Sequence, residues 1–185
     1  MTRLVLITGG ARSGKSSYAL ELAESLSEQR LFIATCPKLD PEMEDRVMRH
    51  KQERQGRGWQ TLECETELEQ AFRTAVGGYD VVLLDCITLW VNNLLYVSEQ
   101  RGEILTDGAV RECCQNWIKA VPDTLGTVIC VTNEVGLGIV PDNALGRRYR
   151  DLVGTVNQVI GRAADQVTLV SCGIPVHIKD RPALS

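Results

Sequence analysis

With 185 residues, 44% of them hydrophobic and 24% charged, the chain has the length and balance of one soluble domain, 1–185, able to bury a sizeable core. Its net charge of -4 argues against a general nucleic-acid binder, which carries a basic excess. No apolar run approaches a membrane span and no secretory h-region opens the chain, so no membrane span and a cytoplasmic location are expected.

The first predicted strand, Arg3–Thr8, runs into Gly9, Gly10, Ala11, Arg12, Ser13, Gly14, Lys15 and Ser16, and a helix is expected over Lys15–Ser27. The spacing G-x-x-x-x-G-K-S between a strand and a helix is a phosphate-binding P-loop. Its glycines let backbone N–H groups turn toward an anion at the helix N-terminus, where the helix dipole favours negative charge. Lys15 then neutralises the β- and γ-phosphates, and the Ser16 hydroxyl helps hold Mg²⁺. These residues imply a bound nucleoside triphosphate.

A second strand is predicted over Arg30–Cys36, followed by a helix over Pro41–Arg54. That helix is crowded with cations, and helical spacing puts Arg46, His50 and Arg54 on one face. Cations beside an imidazole keep it neutral and nucleophilic, and the same cations bind phosphates. A solvated basic face that happens to include a histidine explains the pattern equally well. A strand at Trp59–Cys64 and a helix at Glu65–Val76 follow.

The strand Asp80–Cys86 is apolar over Val81-Val82-Leu83-Leu84 and ends in Asp85, which is how a P-loop protein places a carboxylate beside a metal ion. A helix over Thr88–Val97, a polar and mobile connection over Ser98–Thr106 and a helix over Asp107–Ala120 are expected next. The strand Thr127–Thr132 leads into Asn133 and Glu134, which fall at the same sheet edge as Asp85 and are placed to meet substrate or a metal-bound water. The last helix, Asn143–Ala164, opens with Arg147, Arg148 and Arg150, which either grip phosphate or lie on the surface. Gln166–Ser171 and the short run Pro175–Lys179 close the chain, the latter as an antiparallel edge strand carrying His177 in a structural role.

Strands that are apolar throughout, alternating with helices, suit a parallel sheet covered on both faces. The fold expected is a three-layer α/β, P-loop NTPase-like (RecA-like) architecture with ligands at the carboxyl ends of the strands. Seven cysteines with no C-x-x-C pair fit neither a zinc site nor a disulfide framework. Cys86, Cys130 and Cys172 lie in or beside apolar runs, where a thiol behaves as a small hydrophobe, and most of the seven are expected to be buried reduced thiols.

GGARSGKS, DCITLWVNNLL (Asp85–Leu95), TNEVGLGIVP (Thr132–Pro141) and RRYRDLVGTVNQ (Arg147–Gln158) occur together and in order. From Leu4 to about Lys179 the chain resembles the bifunctional adenosylcobinamide kinase / adenosylcobinamide-phosphate guanylyltransferase family of cobalamin nucleotide-loop assembly. The resemblance implies two reactions. ATP or GTP phosphorylates the aminopropanol hydroxyl of adenosylcobinamide, and GTP then donates GMP to that phosphate, giving adenosylcobinamide-GDP and pyrophosphate. The second reaction runs through a GMP–histidine phosphoramidate, and Arg46-Val47-Met48-Arg49-His50-Lys51 matches the family's pattern around the nucleophile, which assigns that role to His50.

It also implies nucleotide contacts at the P-loop, at Ala34, Thr35 and Cys36, at Lys51, Gln52, Glu53 and Arg54, at Glu63 in Trp59-Gln60-Thr61-Leu62-Glu63, and at Asp85. Glu63 is suited to pair with the guanine N1–H and amino group. Mg²⁺ as cofactor and a homo-oligomer, a trimer in the relatives, follow from the same likeness. Gln55-Gly56-Arg57-Gly58 departs from the family, which has one residue fewer there and usually a proline, so a looser join before Trp59 is expected. The alternative is a P-loop kinase of another small molecule, using only Lys15, Ser16 and Asp85 and leaving no nucleotide on His50.

Overall fold

The computed structural model describes residues 2–36, 52, 54–74 and 77–180. Seven strands form one sheet: β1 (Arg3–Thr8), β2 (Arg30–Ala34), β3 (Trp59–Glu63), β4 (Val81–Asp85), β5 (Thr127–Val131), β6 (Gln166–Ser171) and β7 (Ile174–Asp180). Their order is β3-β2-β4-β5-β1-β6-β7; β7 pairs antiparallel with β6 and every other pair is parallel. The helices are α1 (Lys15–Leu26), α2 (Leu68–Thr74), α3 (Ile87–Gln100), α4 (Asp107–Ala120) and α5 (Ala144–Ala163).

Period-two alternation along each buried strand feeds two cores. Leu4, Leu6, Ile33, Leu84 and Val128 face α2 to α5 and pack with Phe72, Trp90, Trp117 and Ile160. Val5, Ile7, Phe32, Leu83 and Ile129 face the other way, onto Ala19, Leu20 and Ala23 of α1. The expected three layers and the antiparallel edge strand are both present.

Two expectations are corrected. Ser98–Gln100 belong to α3 rather than to a mobile connection. The stretch that follows is fastened: the Glu103 amide bonds the Ser98 carbonyl at 2.9 Å, Leu105 is buried, and Arg148 holds the Leu105 carbonyl at 2.6 Å. A helix continues through polar residues when its end is tied to the body of the protein, which composition does not reveal. Cys172 is exposed, because it lies in the tight β6–β7 turn at φ +53° and not in the apolar strand before it.

All seven cysteines are free thiols, but most are not buried as expected: Cys114 and Cys130 are buried, Cys36, Cys64 and Cys86 are half-buried, and Cys113 is exposed. Burial pushes the Cys114 thiol from its ordinary value near 9 up to about 12, and it pushes Cys130 up as well. Below pH 9 both states keep these protons and the thiols do not alter stability. Above it the unfolded chain ionises while the folded one does not, so each thiol lowers stability by about 1.4 kcal/mol per pH unit toward the folded value. Urea midpoints should therefore fall steeply from pH 9 to 11, and less steeply in a Cys114→Ala/Cys130→Ala double variant. Equal slopes would exclude these thiols as the cause.

Candidate active site

The P-loop is built by close packing that only small residues allow. A Cβ at Gly9 would press into the Val170 carbonyl oxygen and lie 2.7 Å from Ser13 Oγ. Gly14 caps α1 at φ +93°, in the left-handed region that favours glycine. A Cβ there would stand 3.1 Å from the Gly173 Cα. The Gly173 amide in turn donates to the Ser13 carbonyl at 2.8 Å, so the β6–β7 turn braces the loop from outside. The Lys15 ammonium bonds the Gly10 carbonyl at 3.0 Å, and Ser16 lies in a first turn free of acidic side chains. Ser13 Oγ is buried without a hydrogen-bond partner among the described residues, an orphan hydroxyl within an anion-binding loop.

Strand register brings distant residues to the same edge. Ile7 pairs with Val131, Val131 with Asp85, Asp85 with Ala34 and Ala34 with Glu63. At roughly 4.8 Å between neighbouring strands, the P-loop strand and Asp85 are about 10 Å apart across β5. Ala34, Asp85 and Glu63 thus lie along one line leading from the loop.

Two carboxamides that sequence reasoning did not single out hold this edge. Asn93, buried on α3, donates to the Thr35 carbonyl at 2.8 Å and to the Glu65 carbonyl at 3.0 Å, tying the ends of β2 and β3. Thr35 Oγ1 donates to the Cys86 carbonyl at 2.8 Å and accepts from the Cys86 amide at 2.9 Å, which ties β2 to β4. Burial, with the Asp85 charge beside it, pushes the Cys86 thiol up to about 11, so it is no thiolate nucleophile at neutral pH.

The second carboxamide, Asn157 of α5, organises the end of β5. Thr132 Oγ1 donates to Asn157 Oδ1 at 2.7 Å, which turns Nδ2 toward the Asn133 carbonyl at 3.1 Å and Glu134 Oε1 at 3.2 Å. Thr8 Oγ1 also donates to Glu134 Oε1, at 2.8 Å. The signal in the sequence was an Asn within the apolar stripe of each helix, a placement that requires partners. Of the three arginines opening α5, Arg147 bonds the Pro141 and Asp142 carbonyls and Arg148 the Leu105 carbonyl, while Arg150 pairs with Asp151 at 2.8 Å.

His50, Lys51 and Glu53 lie outside the described residues. Gln52 is exposed, and the buried Arg54 guanidinium stacks 3.5 Å from the Phe32 ring centroid. The join expected to be loose is anchored instead. Arg30 donates to the Arg57 carbonyl, Arg57 pairs with Glu24 at 3.4 Å, and the Trp59 indole donates to Glu24 at 3.0 Å. Gly56 and Gly58, at φ +76° and +75°, shape the turn that makes these bonds. Cys36 is half-buried and Glu63 exposed. His177 has the structural place expected of it, its Nδ1 lying 3.1 Å from both Gln166 Nε2 and Thr168 Oγ1.

A family model described as cobinamide kinase / cobinamide phosphate guanyltransferase matches residues 5–178. The chain belongs to this family. It is 42% identical over 182 residues to the bifunctional adenosylcobalamin biosynthesis protein CobU of Salmonella typhimurium, covering 95% of this chain and 99% of that one. It is 37% identical over 177 residues to the bifunctional adenosylcobalamin biosynthesis protein CobP of Pseudomonas aeruginosa, covering 96% and 98%. The flagellar accessory protein FlaH of Methanocaldococcus jannaschii superposes with a TM-score of 0.50 at 13% identity, over 97% of this chain and 79% of that one, a likeness of fold alone. The four stretches that carried the resemblance now have places in this family member: the P-loop, the β4–α3 edge with Asn93, the β5 edge with Glu134, and α5 with Asn157.

Proposed function

We propose that one triphosphate grip in this cobinamide kinase / cobinamide phosphate guanylyltransferase serves both of its reactions, which cut the nucleotide at different phosphates. The observation that carries this reading is the strand register, which lines Asp85, Ala34 and Glu63 along one edge beginning at the P-loop. In the first reaction ATP or GTP lies with its γ-phosphate at Lys15, and the aminopropanol hydroxyl of adenosylcobinamide attacks the γ-phosphorus. In the second, neutral His50 attacks the α-phosphorus of GTP and the bond to the bridging oxygen breaks. Pyrophosphate leaves, held by the loop. A phosphate oxygen of adenosylcobinamide-phosphate then attacks the phosphoramidate, giving adenosylcobinamide-GDP and freeing the imidazole. Glu63 selects guanine through its N1–H and amino group, while Thr35, Cys36 and the Lys51–Arg54 segment line the nucleotide.

The Ser16 hydroxyl and the Asp85 carboxylate are hard oxygen donors, a set that fits Mg²⁺ completed by phosphate and water. Among the described residues no group of three or more His, Cys, Asp or Glu side chains forms a metal cage. Bound there, the ion would offset charge on the phosphoryl oxygens. The placement of all seven strands in one sheet supports a single domain over 1–185. No described helix is long and apolar enough to cross a membrane. The family resemblance supports a homotrimer.

The test supplies adenosylcobinamide with GTP labelled at either phosphate. The γ-label should appear in adenosylcobinamide-phosphate, and the α-label should pass from an acid-labile, base-stable protein adduct into adenosylcobinamide-GDP. Transfer of neither label would refute the reading, and γ-label alone would favour a simple P-loop kinase.

A further inference from the structure

We propose that Glu134 is the proton acceptor for the substrate hydroxyl in the phosphoryl-transfer step, an inference that rests on the kinase reading above. β5 lies between β1 and β4, so whatever follows it emerges between the P-loop and Asp85. Glu134 is three residues past the end of β5, and its amide bonds the Gly9 carbonyl at 3.3 Å. The next carbonyl along the loop, that of Gly10, receives the Lys15 ammonium. Adjacent loop carbonyls therefore bring together the group that grips the γ-phosphate and the residue carrying a carboxylate.

The carboxylate is held by one oxygen only. Oε1 accepts from Thr8 at 2.8 Å and from Asn157 at 3.2 Å, while Oε2 has no hydrogen-bond partner among the described residues. Thr8, Thr132 and Asn157 are buried, and the Thr132 hydroxyl fixes the carboxamide so that its NH₂ faces Glu134. A side chain fixed through one oxygen presents the other in a defined direction, which is what a general base requires. Glu134 is half-buried and lines a cavity of about 280 Å³ between the segment after β5 and α5, with Gly136, Arg150, Asn157 and Gln158.

The step balances. As the hydroxyl oxygen bonds the γ-phosphorus, its proton passes to Glu134 Oε2. The bond from the γ-phosphorus to the β,γ-bridging oxygen breaks, and the electron pair leaves with the nucleoside diphosphate. Glu134 later releases the proton to water. Guanylyl transfer begins with a histidine nitrogen and ends with a phosphate already ionised, so it makes no use of this acceptor.

The experiment compares wild type, Glu134→Gln and Glu134→Asp in both reactions. Gln preserves an oxygen that accepts from Thr8 and Asn157 but cannot take a proton, so its phosphorylation rate with saturating ATP should fall by about 100-fold or more. Transfer of GMP to pre-formed adenosylcobinamide-phosphate should stay within about two-fold, because no term in that reaction is removed. Asp, which restores a carboxylate, should recover part of the rate. Phosphorylation in Gln within about ten-fold of wild type would overturn the proposal, since a proton acceptor contributes more than that. A parallel loss of both reactions would also overturn it, marking Glu134 as a prop of the loop. If wild type itself phosphorylated no adenosylcobinamide, the kinase reading would fail first.

Discussion

Replacing His50 with alanine is expected to abolish both the covalent GMP adduct and the formation of adenosylcobinamide-GDP, a loss of at least about 10⁴-fold for a missing nucleophile. Phosphorylation of adenosylcobinamide should persist within about two-fold, because the γ-phosphate is attacked by the substrate and not by the protein. The sequence supports this division of labour. Arg46, Arg49 and Lys51 flank His50 in the sequence, and on the proposed reading such cations favour a neutral imidazole and offset charge on the α-phosphate oxygens. The chain has only one other histidine, and His177 is engaged through Nδ1 with Gln166 and Thr168 on the edge hairpin. His177→Ala is therefore the matched control, and it should label like wild type. Retention of the adduct in His50→Ala, measured with α-labelled GTP and acid lability, would remove His50 from the mechanism.

The contrast between what was and was not legible in the sequence follows from the range of the forces involved. The P-loop could be read directly, because its chemistry is local: strand, glycine turn, lysine and helix occupy consecutive positions. Six parallel strands were legible for a similar reason, most being short apolar runs bounded by turns, with β3 (Trp59–Glu63) the polar exception. The insertion of β5 between β1 and β4 was not, since strand order is decided by packing between elements far apart in the chain. That insertion is what delivers Glu134 to the P-loop. Asn93 and Asn157 were missed because a carboxamide in an apolar stripe reads as a flaw until its carbonyl partners are placed. The role of His50 came from family resemblance alone, since a basic helix face is ambiguous without a ligand. The segment after Arg54 shows the opposite error: one residue more than the family has, with no proline, implied a loose join where Arg30, Glu24 and Trp59 fix the turn.

Lys15→Ala should differ from both single-reaction variants by impairing the two activities together. Its ammonium bonds the Gly10 carbonyl at 3.0 Å; on the proposed reading it grips the β- and γ-phosphates in either cut. In phosphoryl transfer it stabilises charge around the γ-phosphorus, and in guanylyl transfer it stabilises the departing pyrophosphate. Removal of one such preorganised charge is expected to cost about 10²–10³-fold in kcat. The loss should appear in phosphorylation by ATP and in adduct formation from GTP alike. Stability should change little, because the bond to Gly10 is exposed and a hydrogen bond of this kind contributes about 1 kcal/mol. Lys15→Arg is not expected to rescue, since a planar guanidinium replaces a compact point charge in a loop already braced against Val170 and Gly173. Rapid-quench rates for both reactions, with a thermal melt for each variant, decide the matter. Full-rate phosphorylation in Lys15→Ala would detach the loop from the kinase step. Loss of adduct formation alone would mean that the two reactions do not share one grip.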